Sequence, residues 1–472
     1  MDILLLFYCL LFLVFAGYLG VKIGMKLWTL ENFFLLLILI IYVFIPINII
    51  IFGSEIYDYS LFTYLFPASK FVSFSSFFIT LLFIGAFLGG GAFRGSSSRL
   101  ERIFIRRVNG IPLYKAVSYF LASFSLISLL IYIHQFGDLS SLATNLILSR
   151  SNKLDESVVG NYAFFGRFIN LAIIPLVYFL YEKRKTEREW IFLFFMPLAV
   201  LIFNTLFISA GKLNFIILVL ILYFTVSIRK RKLYLEYLIF LSALVFLALP
   251  VLDEMFVLAS RVFNEEGLLA VPFKIASAIL SGSLGRGEFY DFLKDNSTGN
   301  VYLKSVQYFT YLQMSLQFAI DKNYPLLFFS DVLTGIGKFL PSRLNIQIGL
   351  GVQQLNTAIF YNYYPEIPNL NYGVPPGIIG FGMYSLSVPG VFIIAFILGY
   401  IFRGLDIFFK SIVEIDKNFS SFYAYMLVIL SVYPINGDPK EAIYNIGFLV
   451  FLFMFFLVNF KFETLKTEDA RS

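Results

Sequence analysis

The sequence predicts an all-α polytopic membrane protein with about 11 transmembrane helices. Three observations support this fold class. First, 59% of the 472 residues are hydrophobic and only 14% are charged, whereas a soluble domain carries about 25% charged residues. Second, apolar runs of roughly 20 residues recur, and each is long enough to cross a hydrocarbon core of about 30 Å. Third, basic residues cluster in short loops between these runs, which is the positive-inside pattern.

The predicted spans follow one another along a single membrane domain, residues 1–472. The first span starts near the N-terminus without a basic flank, and we expect it to be retained rather than removed as a signal. Strict alternation of basic and non-basic loops predicts that the N-terminus lies outside and the C-terminus in the cytoplasm. The predicted bounds are 3–21, 32–53, 71–93, 112–133, 162–181, 190–209, 213–228, 234–252, 387–404, 419–435 and 443–460.

One long, partly polar segment, residues 253–371, separates the eighth and ninth predicted spans. The alternation of charge predicts that this large loop is extracytoplasmic. An apolar helix is expected over residues 324–341. A second helix, over residues 301–320, is expected to lie on the membrane or pack on the spans. Its apolar stripe consists of Val306, Phe309, Leu312, Leu316 and Ile320.

Residues 373–387 are too short to be a full span. Their apolar part is about ten residues long and extends only about 15 Å in a helix. Pro375 and Pro376 near the start favour a helix beginning there, and Pro389-Gly390 marks a break before the next span. We therefore predict a half-helix. Such breaks at membrane depth occur where the backbone is buried in protein or lines a wet cavity.

Cations on the predicted outer face are candidate ligands for an anionic substrate. A guanidinium matches phosphate oxygens in bidentate fashion, and charges at membrane depth are costly enough to indicate function. Glycines flank Arg286 and would let backbone N–H groups approach the same anion. Snorkelling to the interface is the alternative for Arg167, and a plain turn residue is the alternative for Lys212. The predicted diphosphate- and glycan-binding residues are Arg150, Arg167, Lys212, Arg261, Arg286 and Arg343.

Candidate acid–base residues follow the eighth predicted span. Asp253 and Glu254 lie at its outer end, where partial burial and nearby cations would set the carboxyl pKa. The alternative is that these acids only end the span. Together with Arg286 they form the predicted catalytic set. Further options are Glu265, Glu266, Asp291 and the single histidine, His134, for which an interfacial histidine with a satisfied hydrogen bond is the alternative.

The sequence contains no signature of a metal, a cofactor or a nucleotide. The single cysteine, Cys9, lies within an apolar run, and histidine and cysteine do not cluster. Neither a P-loop nor a dinucleotide fingerprint is present. Because the net charge of +6 comes from loops between spans, nucleic-acid binding is not expected.

Three stretches carry a resemblance to a known family. They are the turn at 209–212, GIGKFLPSRLN at 335–345 and VPPGIIGFGMYSLSVPGVFIIAFILGYIFRG at 374–404. In this order and topology the chain resembles the Wzy-type oligosaccharide repeat unit polymerases, the O-antigen and capsule polymerase family. Lys212 stands where arginine is common in that family, and Phe381 stands where many relatives carry a carboxylate.

The resemblance implies a GT-C-type glycosyltransferase in the bacterial inner membrane that needs no cofactor. Its donor would be a growing glycan on undecaprenyl diphosphate, and its acceptor a lipid-linked repeat unit. Membrane lipid, a chain-length regulator and a flippase of the same pathway would be its partners. An O-antigen ligase-like transferase is one alternative, although a histidine in the large loop is expected in that family. A lipid-linked oligosaccharide flippase is the other, a class that favours repeated halves.

Overall fold

The structure is a computed structural model. It describes residues 2–26, 28–52, 72–95, 106–108, 113–134, 163–181, 185–205, 212–234, 236–237, 258, 262, 270–280, 298–321, 324, 326–337, 351–363, 374–415, 417–437, 443 and 462–464.

Helices dominate the described residues. In chain order they are α1 (Asp2–Lys26), α2 (Leu30–Leu39), α3 (Ile45–Phe52), α4 (Phe74–Arg94), α5 (Leu113–His134), α6 (Ile173–Tyr181), α7 (Glu187–Glu189), α8 (Met196–Phe203), α9 (Lys212–Lys230), α10 (Ala270–Leu280), α11 (Thr298–Asp321), α12 (Ser330–Gly337), α13 (Val352–Tyr363), α14 (Gly377–Ile415) and α15 (Ser420–Ile435). The π-helices Ile40–Phe44 and Trp190–Phe195 precede α3 and α8, and the 3₁₀ helices Ala163–Ala172 and Lys417–Phe419 precede α6 and α15. Strands β1 (Arg106–Val108) and β2 (Phe462–Thr464) form a two-stranded sheet.

The prediction of a helical membrane protein is confirmed by the length and composition of the helices. Among the described residues, five helices are long and apolar enough to cross a membrane, and a shorter apolar helix covers Phe168–Tyr181. The total of about 11 spans stays a prediction. The five helices are Asp2–Gly24, Leu30–Phe52, Phe74–Arg94, Val117–His134 and Gly377–Lys410.

The chain divides into two compact units. The first unit comprises Met1–Arg106, Ser297–Ile412 and Met426–Ser472, and the second comprises Arg107–Asn296 and Val413–Tyr425. Part of the large predicted loop therefore belongs to the first unit. The predicted helix over 301–320 is confirmed as α11, which packs against α3, α4 and the π-helix between α2 and α3.

Side-chain caps determine where two helices of the first unit begin. Thr29 accepts a hydrogen bond from the backbone N–H of Asn32 at 3.0 Å, which satisfies a donor in the first turn of α2. At the start of α4, Ser73 and Ser76 form a reciprocal capping box with distances of 3.1 and 3.0 Å. Each cap precedes a long apolar run.

Glycines allow α4 and α14 to pack backbone against backbone. A Cβ atom at Gly90 would collide with the carbonyl oxygen of Phe396, and one at Gly399 would collide with the carbonyl oxygen of Phe87. Membrane helices associate through such small residues because lipid removes the hydrophobic drive for side chains to cluster. These contacts therefore fix the register of the two helices.

Ionic groups gather at one end of the first unit. The Glu31 carboxylate, at the start of α2, lies 3.6 Å from the Lys22 ammonium and 4.0 Å from the Arg403 guanidinium. Gly91 lies beside the same carboxylate, so the last turn of α4 ends at this level. The basic residues that predict a common side for the loops after the first, third and ninth spans therefore lie at the same end of the first unit.

A carboxylate from α14 caps α2 at this same end. Asp406 is buried and accepts hydrogen bonds from the backbone N–H groups of Leu30 at 2.7 Å and Glu31 at 3.2 Å. A negative charge at a helix N-terminus is stabilised by the helix dipole and by the free N–H groups there. The cap joins residues that lie 376 positions apart in the sequence.

The second unit contains an ion pair at the start of α7. The Glu189 carboxylate is buried and lies 2.5 Å from the Lys115 ammonium, and it also accepts a hydrogen bond from the Thr186 backbone N–H at 2.7 Å. Burial alone would raise the pKa of Glu189, but Lys115 and Thr186 together hold this pKa below its usual range.

Candidate functional site

The helix α14 is broken near its first third. Two residues leave helical geometry: Leu386 has φ −145° and ψ 24°, and Ser387 has φ 58° and ψ −144°. Residues 377–385 therefore form a separate buried helix, called here the half-helix, before the chain continues as a long apolar helix. The break lies just before Pro389, whose missing N–H cannot support an uninterrupted helix.

Backbone groups from another segment satisfy the C-terminal end of the half-helix. The N–H groups of Leu327 and Phe328 donate to the carbonyl oxygens of Tyr384 and Ser385 at 3.1 and 2.9 Å. Without such partners, a helix end at membrane depth would leave polar groups unpaired at a cost of several kcal/mol each. The break is thus accommodated by the segment that precedes α12.

The predicted apolar helix over 324–341 is wrong in its start, because these same residues are not helical. Phe328 and Phe329 have positive φ angles of 45° and 58°, a conformation that bulky residues rarely adopt. Helix α12 begins at Ser330 and ends at Gly337, and residues 338–341 lie outside the described part of the chain.

The N-terminal end of the half-helix is closed by three contacts. The Gly377 N–H donates to the carbonyl oxygen of Asn436 at 2.9 Å. A Cβ atom at Gly377 would collide with the Tyr42 hydroxyl, and one at Gly437 would collide with the backbone of Gly377. Tyr42 belongs to the π-helix Ile40–Phe44 and lies roughly 18 Å along the helical run from Leu30. Helix N-termini often bind anions, but protein groups fill this one.

A buried asparagine connects the half-helix to two helices of the large predicted loop. The Asn356 amide donates to the Ser315 hydroxyl at 3.0 Å and to the carbonyl oxygen of Val374 at 2.9 Å. Its amide oxygen accepts a hydrogen bond from the Tyr384 hydroxyl at 2.9 Å. Asn356, Ser315 and Tyr384 are each 0% exposed. We call these three side chains the polar centre, and their satisfied network favours a rigid core.

A second set of polar contacts lies at the C-terminal end of α11, beginning two residues after Ser315. The Ser73 hydroxyl donates to the Gln317 amide oxygen at 2.9 Å, and the Gln317 amide donates to both carboxylate oxygens of Asp321 at 2.9 Å. Because Ser73 begins α4 and Arg94 ends it, Asp321 lies at the end of α4 that is opposite the cluster around Glu31.

Chemically, the polar centre is suited to positioning rather than to acid–base catalysis. Its groups are neutral amides and hydroxyls, which donate and accept hydrogen bonds but do not take up a proton at neutral pH. A tyrosine outside the predicted spans supports it, because the Tyr324 ring packs 4.6 Å from that of Tyr384. Burial raises the pKa of Tyr324 to about 12, so its phenol remains a donor.

The second unit contains a polar pair within apolar helices. The Asn204 amide donates to the Asn170 amide oxygen at 2.7 Å, and Asn204 is fully buried. Asn170 belongs to the 3₁₀ helix Ala163–Ala172, in which three residues complete one turn. Arg167 therefore lies one turn before Asn170 along the same row. Polar groups within membrane helices are costly and typical of functional sites.

The structure describes the backbone of two predicted site residues. Arg167 lies in the 3₁₀ helix Ala163–Ala172, and Lys212 is the first residue of α9. Of the alternatives, His134 ends α5 and is exposed. The other predicted residues, Arg150, Asp253, Glu254, Arg261, Glu265, Glu266, Arg286, Asp291 and Arg343, lie outside the described residues.

Sequence reasoning missed the polar centre and the asparagine pair. The available signal for the asparagine pair was an asparagine within an apolar run, at positions 170 and 204. Asn356 follows Gln353 and Gln354 and offers no such signal. Within the described residues, no group of three or more histidine, cysteine, aspartate or glutamate side chains could hold a metal ion.

Comparisons of the chain with protein-family models, with curated proteins and with solved structures give no match.

Proposed function

We propose that the chain is a GT-C-type glycosyltransferase that polymerises oligosaccharide repeat units carried on undecaprenyl diphosphate. The reaction would take place at the extracytoplasmic face of the bacterial inner membrane. The observation that carries the proposal is the packing of α11 against α3 and α4. A polar segment built into a membrane unit suits an enzyme whose substrate has a lipid anchor and a polar head.

The ends of the helices support the proposed orientation. Lys22, Arg94 and Arg403 lie at the end of the first unit where α2 begins, and the positive-inside rule assigns such an end to the cytoplasm. Asp321, at the end of α11, lies at the opposite end of α4. Under this orientation the segment 253–371 is extracytoplasmic.

In the proposed reaction, a hydroxyl of the acceptor repeat unit attacks the anomeric carbon of the donor's first sugar. The new C–O bond forms as the bond between that carbon and the diphosphate oxygen breaks. The diphosphate leaves with the electron pair, and Asp253 or Glu254 takes the hydroxyl proton. Arg286, with the other cations of the predicted set, stabilises the charge on the leaving group.

The backbone position of Arg167 supports its place among these cations. It lies one turn before Asn170 in the 3₁₀ helix Ala163–Ala172, and polar groups within membrane helices are typical of functional sites.

The test is repeat-unit polymerisation by purified protein in lipid vesicles containing the lipid-linked substrate. Arg167→Ala and Arg286→Ala should abolish the ladder of long glycans, and the corresponding lysine variants should recover little because lysine lacks the fork. Arg188→Ala is the matched control, since Arg188 is exposed at the start of α7. Ladders of normal length from both alanine variants at normal protein level would refute the roles of these arginines.

A lipid-linked oligosaccharide flippase is the second candidate, and the broken helix favours it. Transporters also place interrupted helices near the midplane, with free half-helix N-termini facing anionic substrates. Against this candidate, Asn436 and Tyr42 close the N-terminus of the half-helix. A deletion strain separates the two functions, because loss of a polymerase leaves single repeat units on the cell surface whereas loss of a flippase removes them.

A further inference from the structure

Helix α12 has a polar buried side and an apolar exposed side. Asp331 and Thr334 are only 2% and 6% exposed, whereas Leu333 and Ile336 are 55% and 53% exposed. Nearby, Phe328 is 68% exposed. A helix facing water shows the reverse pattern, with its apolar stripe toward the core.

The buried polar groups of α12 have partners. Asp331 accepts a hydrogen bond from the Val352 N–H at 2.5 Å, and the Thr334 hydroxyl donates to the carbonyl oxygen of Ser330 at 2.9 Å. Because these groups are satisfied inside the protein, the inverted pattern does not leave a buried carboxylate uncompensated.

Backbone donors at the start of α12 are satisfied as well. The N–H groups of Ser330, Val332 and Leu333 donate to carbonyl oxygens of Leu327 and Phe329 at 2.8, 2.9 and 3.4 Å. Together with the bonds from residues 327 and 328 to the half-helix, five N–H groups of this segment have partners inside the protein. Satisfaction by internal partners is what hydrocarbon demands of a non-helical backbone.

The exposed apolar side of this segment adjoins a predicted lipid-facing surface. Phe328 is hydrogen-bonded to Ser385 of α14. A few residues further along α14, Val388 and Phe392 are exposed on a helix long and apolar enough to span the membrane. The exposed side chains of Phe328, Leu333 and Ile336 are called here the apolar face of α12. Through Phe328, this face is joined to α14 a few residues before the exposed part of a candidate span.

We propose that bilayer hydrocarbon covers the apolar face of α12, so that part of the segment 253–371 is embedded in the membrane and anchors the polar remainder at its surface. Acyl chains provide a medium that leaves exposed leucine, isoleucine and phenylalanine without a hydrophobic penalty. Two consecutive phenylalanines in the left-handed region, a strained conformation, direct the chain from the half-helix into this helix. The proposal does not depend on the activity proposed above.

Site-directed spin labelling of the full-length protein in phospholipid vesicles tests this placement. Cys9 is the single cysteine, so Leu333→Cys and Ile336→Cys can be labelled in a Cys9→Ser background. Collision rates with oxygen and with a water-soluble nickel chelate distinguish hydrocarbon from water. Val14, 68% exposed on α1, is the lipid control, and Arg231, with a side chain 66% exposed, is the water control.

The expected result is an oxygen-to-nickel collision ratio at Leu333 and Ile336 comparable with that at Val14 and severalfold above that at Arg231. A ratio like that at Arg231 would mean that water covers the face and would overturn the proposal. Low collision rates with both reagents would mean that protein covers it, either another part of this chain or a second copy, and would overturn the proposal equally.

Discussion

Adding one methyl group to Gly90 should weaken the contact between α4 and α14, whereas the same change at the neighbouring Gly89 should not. A Cβ atom at Gly90 would lie 2.9 Å from the carbonyl carbon of Phe396 and 3.0 Å from the Tyr400 nitrogen, while one at Gly89 would meet nothing within 4 Å. The two positions share one helix and one substitution, so the second is a matched control.

The expected loss of stability follows from how closely the added methyl group would approach the backbone of α14. Carbon atoms pack best at about 3.5–4.0 Å and the Phe396 carbonyl oxygen lies nearer still than its carbon, so the helices must move apart by more than roughly 0.6 Å along a contact made of rigid backbone. Overpacking of this kind typically costs about 1–3 kcal/mol. Replacing glycine by alanine in a helix also stabilises it by roughly 0.5–1 kcal/mol, and this gain is common to both sites. We expect Gly90→Ala to be less stable than Gly89→Ala by about 1–3 kcal/mol.

The measurement is reversible unfolding of each variant in the same detergent, with helical circular dichroism as the signal. Gly399→Ala should resemble Gly90→Ala, because its added methyl group would collide with the Phe87 carbonyl oxygen from the other side. If Gly90→Ala and Gly89→Ala unfold with equal free energies, the two helices are not in backbone contact and the packing described above is incorrect.

Three other changes test separate parts of the fold. Asn356→Leu should destabilise the protein by about 2–4 kcal/mol, because the buried Tyr384 hydroxyl and the Val374 carbonyl oxygen lose this partner; an unfolding free energy matching that of exposed Gln354→Leu would contradict this. Asp406→Asn should lower the free energy of unfolding by about 1–3 kcal/mol through weaker capping of α2. Glu414→Gln, in an exposed ion pair, should lower it by at most about 1 kcal/mol. Equal losses in the two variants would argue against the cap. The pKa of Glu189 is lowered in the folded state. Its contribution to the free energy of unfolding is therefore complete above the ordinary pKa of 4.5 and is lost as pH falls through the folded pKa. Glu189→Gln should therefore be less sensitive to acid than the wild type, with Glu187→Gln as the control, and identical acid sensitivity in all three proteins would show that the ion pair does not form.

Five of the predicted spans correspond to described helices that are long and apolar enough to cross a membrane, because hydropathy depends on length and composition alone. The bounds of α1 and α4, for example, differ by only a few residues from the predicted spans. Local pattern could not predict the path near α12, where hydrogen bonds to Tyr384 and Ser385 override the helical preference of residues 327–329. Such bonds join residues that are distant in sequence, and periodicity contains no information about them.

The burial of α11 illustrates the same limit. Its apolar stripe was predicted, but the burial of the polar residues between was not. In the structure, Gln313, Ser315 and Gln317 are buried as well, because the partners of Ser315 and Gln317 come from α13 and from the start of α4. The predicted cations cannot be compared in this way beyond the backbone positions of Arg167 and Lys212.

The glycine contact between α4 and α14 also restricts where the molecule can move. Two backbones that touch directly cannot slide past each other by exchanging rotamers, so α4 and α14 keep one relative position along this contact. Before the break at Leu386 and Ser387, the half-helix is itself held at both ends by backbone hydrogen bonds. The break therefore joins two anchored pieces of α14, and any large displacement must occur outside this helix.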